Sequence, residues 1–158
     1  MLELAIAAAA AAVASLLVRL FVAAHRWHLA QLRFHRGRFF ELAHALLRDR
    51  GIDDARLLRI RAMAVDMGDP RMVILLMSAV LDFNRQLRSG EYRPLENATL
   101  PEQWGVLIYD YFMAISYSRM TLGWLIRLAL ARVLDPKTSA WNTDFIDRRV
   151  HSMRLQPT

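Results

Sequence analysis

The stretch LAIAAAAAAVASLLVRLFVAA, residues 4–24, decides how the rest of the chain is read. It holds one charge, Arg19, in 21 residues. At about 1.5 Å rise per residue it makes a helix of roughly 31 Å, close to the hydrocarbon thickness of a bilayer. Arg19 lies only about 7 Å from the end of that length, near enough for its side chain to run along the helix and leave the guanidinium among headgroups. Trp27 follows where an indole suits a membrane interface, flanked by Phe21 and Phe34. Residues 1–24 therefore read as a single transmembrane anchor. A secretory signal peptide wants a positive leading segment, and this chain opens Met-Leu-Glu. A buried soluble helix is the other competitor, because alanine gives less transfer energy than leucine. Small residues four apart, such as Ala8 with Ala12 and Ala11 with Ser15, allow close approach of a second helix in lipid, which favours a partner over a lone anchor.

Charge gives the orientation. Residues 1–18 carry only Glu3, whereas 19–38 carry Arg19, Arg26, Arg33, Arg36 and Arg38 with no acid. Residues 25–50 thus form a basic juxtamembrane helix, and the positive-inside tendency leaves the N-terminus outside and the remaining chain on the cytoplasmic side of an inner membrane. Those arginines with Trp27 are the expected membrane-interface residues, their partners the anionic headgroups of lipids. His25, His28 and His35 are interleaved with them and read as part of the same interfacial stripe, able to gain charge below about pH 6.5. Net charge is +6, but nucleic-acid binding needs basic residues on one exposed face of a folded domain, and here the strongest cluster hugs the span. No nucleic-acid partner is expected. The absence of cysteine among 158 residues removes disulfides, thiolate zinc and cysteine nucleophiles from consideration.

Beyond residue 50 the apolar pattern is helical, so the fold class is all-α: an N-terminal transmembrane helix followed by a small cytoplasmic helical bundle over 51–158. Gly51 stops the juxtamembrane helix, and Asp53 caps a helix over 54–67. Asp69-Pro70 starts a third, reaching Arg88, whose apolar run at 72–77 marks it as the central core element. Residues 89–102, with Gly90, Pro94 and Pro101, read as a loop connecting the bundle ends. One long helix is expected over 102–134, broken by Asp135-Pro136, and a short amphipathic helix over 141–153 closes the chain. The stretch 104–134 is apolar enough to raise a second membrane question. Asp110, Arg119 and Arg127 sit near 0°, 180° and 260° around a helix, which disfavours a span and favours a core helix. A helix lying on the membrane surface, suited by Trp124 and Arg127, is the remaining reading.

Three constellations invite chemistry. Glu41-x-x-His44 has the spacing of a di-iron motif, yet such sites need a second copy and two further carboxylates, so a surface or half-buried pair is the plainer reading. His25 and His28 could touch one ligand, but neighbouring arginines repel a cation, which leaves them weak metal candidates. Tyr109, Asp110, Tyr117 and Arg119 form a polar patch in an apolar helix. Asp110 and Tyr117, seven apart, share a face, and hydrogen bonding to another helix explains them without catalysis, with Asp110 meeting an arginine from the helix carrying Arg56, Arg59 and Arg61. The expected function is that of a non-catalytic accessory, scaffolding or assembly subunit of an inner-membrane complex, with other membrane subunits or a second copy as partners and no cofactor. Two alternatives are a small redox, metal or haem subunit using the juxtamembrane histidines, and a lipid-sensing regulator.

Overall fold

Helix α1 runs unbroken from Leu2 to Arg48 in a computed structural model that describes residues 1–48, 52–90, 102–133 and 139–154. Forty-seven residues make it roughly 70 Å long. Alanine and leucine favour the helix, no proline interrupts it, and Gly37 has open space around it. Residues 1–27 are exposed, and the segment is long and apolar enough to cross a membrane. From His28 onward one stripe is covered: His28, Leu32, His35, Phe39, Leu42 and Leu46, alternately four and three residues apart. That alternation keeps a seam on one side of a helix facing a neighbour. The apolar segment and the juxtamembrane helix are therefore one continuous rod.

The other described elements are α2 (Asp54–Asp66), α3 (Met72–Ser89), α4 (Glu102–Ser116), α5 (Met120–Val133) and α6 (Ser139–Arg154), with no strand among the described residues. Asp53 caps α2 as its sequence implies, its carboxylate accepting the Arg56 N–H at 2.7 Å. Before α3 the Asp69 carboxylate accepts the Arg71 N–H at 2.8 Å and its carbonyl accepts Met72 N–H at 3.1 Å, so a tight turn precedes the helix and delays its start to Met72. Gly90 ends α3 with φ of 72°, a left-handed conformation that glycine adopts without a Cβ penalty. Of the loop expected over 89–102, Ser89 belongs to α3 and Glu102 to α4, while 91–101, the stop at Gly51 and the break at Asp135-Pro136 lie outside the described residues.

The central position belongs to α4, which contacts α1, α3, α5 and α6. Trp104, Leu107, Ile108, Tyr111, Phe112 and Ile115 of α4 are all fully buried. Against them pack Phe39 of α1, Leu76 and Phe83 of α3, Ile126 of α5 and Ile146 of α6. Of α3's apolar run, Met72, Val73 and Leu76 are buried while Ile74 is exposed. Arg149 of α6 donates to Asp82 of α3 at 2.8 and 3.0 Å.

The single helix expected over 102–134 is two helices. Tyr117 to Arg119 separate α4 from α5, and the hydroxyls of Ser116 and Ser118 bond back to the Met113 and Ile115 carbonyls, an arrangement that competes with helix continuation. Gly123 permits the resulting crossing: a Cβ there would collide with the Ser116 backbone carbonyl. Gly123→Ala is accordingly expected to cost about 1–3 kcal/mol by forcing α5 off α4, measurable as a lowered unfolding midpoint of the full chain in detergent. An unchanged midpoint would show that the contact yields freely.

Candidate functional site

The helical period places His28 and His35 of α1 on the side that carries Phe39 and Leu46, so they turn toward α4 rather than toward solvent. α4 runs antiparallel to α1, pairing Tyr117 with His28 and Asp110 with His35. His35 Nδ1 donates to Asp110 Oδ1 at 2.7 Å, and Arg38 Nε stands 3.3 Å from Asp110 Oδ2. Asp110 is 0% exposed. A carboxylate removed from water needs such partners, because burying it unpaired costs several kcal/mol. The Tyr117 ring stacks on His35, with centroids 5.6 Å apart and planes 12° from parallel. Its edges meet His28 at 5.4 Å and Trp27 at 5.9 Å. Arg127 of α5 closes the cluster, its guanidinium 4.1 Å from the Tyr117 ring centre and its Nη1 donating to the Ser116 carbonyl at 3.0 Å.

Several sequence expectations change here. His28 and His35 are buried and do not form an interfacial stripe; of the three, His25 alone is exposed. Arg38, expected among headgroups, stands about 21 Å along the helix from Ala24 and is half-exposed, one end on Asp110 and its guanidinium 5.5 Å from the Phe34 ring. Asp110 pairs with α1, not with an α2 arginine. Arg59 of α2 instead pairs with Asp147 of α6 and lies 5.9 Å from the Trp104 ring. Arg119 is exposed in the α4–α5 turn, away from Asp110's partners. Tyr109 is half-buried, its ring 6.2 Å from His35. Arg19, Arg26, Arg33 and Arg36 are exposed, as is Trp27, and so are Glu41 and His44.

An aspartate holding an imidazole is half of the arrangement that fixes a catalytic histidine's tautomer. In this protein the imidazole is packed between Tyr117, Phe34 and Tyr109, and two cavities of the bundle lie away from it. One holds about 10 Å³, room for a single water, beside Arg59, Asp66, Tyr111 and Asp147. The other is an open apolar groove of about 660 Å³ along Leu47, Leu57, Leu58 and Ile60. Among the described residues no three His, Cys, Asp or Glu side chains group closely enough to hold a metal ion. The His35–Asp110–Arg38 cluster acts as a polar clamp that sets the register of α4 on α1, since any slip leaves a buried carboxylate without its donors.

Electrostatics follow from burial. Burial pushes the Tyr109 hydroxyl pKa up, and the nearby Asp110 carboxylate adds to it, so this phenol stays protonated at neutral pH. Burial lowers the Arg127 pKa, partly offset by Tyr117. His28 falls below its ordinary 6.5, first through burial, then through the Arg127 charge, with a smaller push from His25, while a hydrogen bond to the Tyr117 backbone opposes them. The unfolded chain thus takes up that proton at higher pH than the folded one. The contribution of neutral His28 to stability is present above about pH 6.5 and is lost as pH falls from there through the lowered folded value. Melting curves of the full chain in detergent should show His28→Gln losing less stability than the native sequence between pH 6.5 and 5. Parallel curves would refute the assignment.

The α1 seam is hidden from a hydrophobic pattern because two of its six members are histidines, which count as polar. The spacing of four and three from residue 28 to residue 46 was the signal that could have revealed it. The Arg59–Asp147 pair had no local signal.

No family model, curated protein or solved structure matches the chain.

Proposed function

We propose that this chain is a membrane-anchored accessory or assembly subunit of an inner-membrane protein complex, holding a cytoplasmic helical bundle at the bilayer and acting without catalysis. The observation that carries the reading is the division of α1. Its apolar residues 4–24 are exposed, with no covering from the other described residues, while the same helix, without a break, supplies a buried seam to the bundle. A 21-residue apolar surface left bare in water is strongly unfavourable, and lipid removes that cost. Arg19, Arg26 and Arg33 at its C-terminal flank support an N-out orientation and contact with anionic headgroups.

The bundle itself offers a protein-binding surface more than a reaction site. Its buried His35–Asp110 cluster is spent on joining α1 to α4, and an open apolar groove lies beside Leu47 and Leu58, both more than half exposed. Apolar surface of that kind, rimmed by Asp54 and Arg61, suits a protein partner. Purified gently from its native membrane, the full chain should migrate above the mass of one chain plus detergent, and a Leu47→Asp, Leu58→Asp double variant should migrate at that mass. A native chain that runs as a monomer would overturn the proposal.

A further inference from the structure

We propose that the outward face of α5 lies on the bilayer surface, so that the bundle touches the membrane at a second place besides the α1 span. The inference rests on the membrane-anchor reading above. Its first support is position. Tyr117, at the end of α4, packs against Trp27 and His28, which follow Ala24 by three and four residues, roughly 5–6 Å along the helix. Arg127 is fixed to Tyr117 and to the Ser116 carbonyl, and Gly123 crosses Ser116 closely, so the first two turns of α5 are held at the end of the bundle nearest the apolar segment. The α4–α5 turn there exposes Ser118 and Arg119.

Composition is the second support. α5 buries Ile126 and Leu130 against the core, yet Leu122, Trp124, Leu125 and Leu128 on its other side are 40–58% exposed. At 100° per residue these four span an arc of about 160°. A soluble bundle ordinarily gives that arc to charged side chains. Between Asp110 and Asp135 the sequence has no acid and three arginines, Arg119, Arg127 and Arg132. Apolar side chains with a tryptophan, basic neighbours and no carboxylate are the composition of a helix whose apolar face enters the headgroup boundary of an anionic leaflet. The exposed Trp27 of α1 packs on Tyr117, the same ring that Arg127 of α5 covers, so the end of the apolar segment and the start of α5 meet at one residue. Outside α1 and α5, the large exposed apolar groups among the described residues, Leu58, Val65, Ile74, Leu81 and Leu87, belong to α2 and α3, whose sequences carry acids.

Because the chain has no cysteine, single labels test this directly. Val13→Cys, Leu81→Cys and Leu125→Cys, each at an exposed position, are made in the full chain, labelled with a fluorophore and reconstituted in vesicles of neutral and anionic phospholipid. A nitroxide carried on lipid near the headgroups should quench the Leu125 label several-fold more than the Leu81 label, and aqueous iodide should do the reverse. Iodide quenching at Leu125 equal to that at Leu81 overturns the proposal, as does protection from both quenchers, which would mean that protein covers the face. A Val13 label quenched by a deep lipid nitroxide keeps the anchor reading standing when the Leu125 result fails; a Val13 label open to iodide removes both.

Discussion

Replacing Asp110 with alanine is expected to destabilise the bundle by about 3–5 kcal/mol, the range found when one member of a buried charged pair is removed. The substitution leaves the buried Nδ1–H of His35 without its acceptor, strips Arg38 of its counter-charge and opens a gap between α1 and α4. A domain of this size has about 5–15 kcal/mol of total stability, so the loss is a large share of it. The unfolding midpoint of the full chain in detergent, followed by tryptophan fluorescence, should fall by roughly 10 °C or more. Asp110→Asn should fall less, because its amide oxygen can still accept from His35. An alanine variant within 1 kcal/mol of the native chain would show that the clamp is incidental to the fold.

Introducing Val13→Arg together with Leu17→Arg should remove the chain from the membrane fraction. Both positions are exposed and near the middle of the 21-residue apolar stretch. Each arginine costs about 2.5–3.5 kcal/mol on insertion scales at a helix centre, and the alanines around them supply little to compensate. Native chain should resist alkaline extraction and the double variant should be released or degraded. Release of the native chain under the same treatment would refute the span. The His35–Asp110 clamp lies outside this segment, so the variant bundle should keep its unfolding midpoint; that separates loss of insertion from loss of folding.

The two results probe different kinds of information in the chain. Residues 4–24 announce themselves through length and apolarity, quantities that need no partner to evaluate. The Asp53 cap is similarly local: a carboxylate next to a free N–H three residues on. The polar patch was legible in part. Asp110 and Tyr117 do share a face, and both reach His35, but their target on α1 was not visible, nor was the departure of Arg119 from the group. The division of 102–134 at Tyr117 was obscured for a related reason. Ser116 to Arg119 are ordinary helix residues, and it is the close passage of α5 over Ser116, possible only at Gly123, that stabilises the turn.

The amino-acid sequence by itself determined the helical class, the long apolar segment, the uneven distribution of arginine and the start of α2, because each arises from spacings of four residues or fewer or from transfer of a contiguous stretch out of water. Tertiary structure alone decided that two histidines of a basic helix are core residues, that Asp110 belongs to α1 and Asp147 to Arg59, and that one side of α5 stays bare. These depend on the rotation and register of one helix against another. That geometry is set by side-chain packing between residues as far apart in the chain as His35 and Asp110, where no local propensity acts.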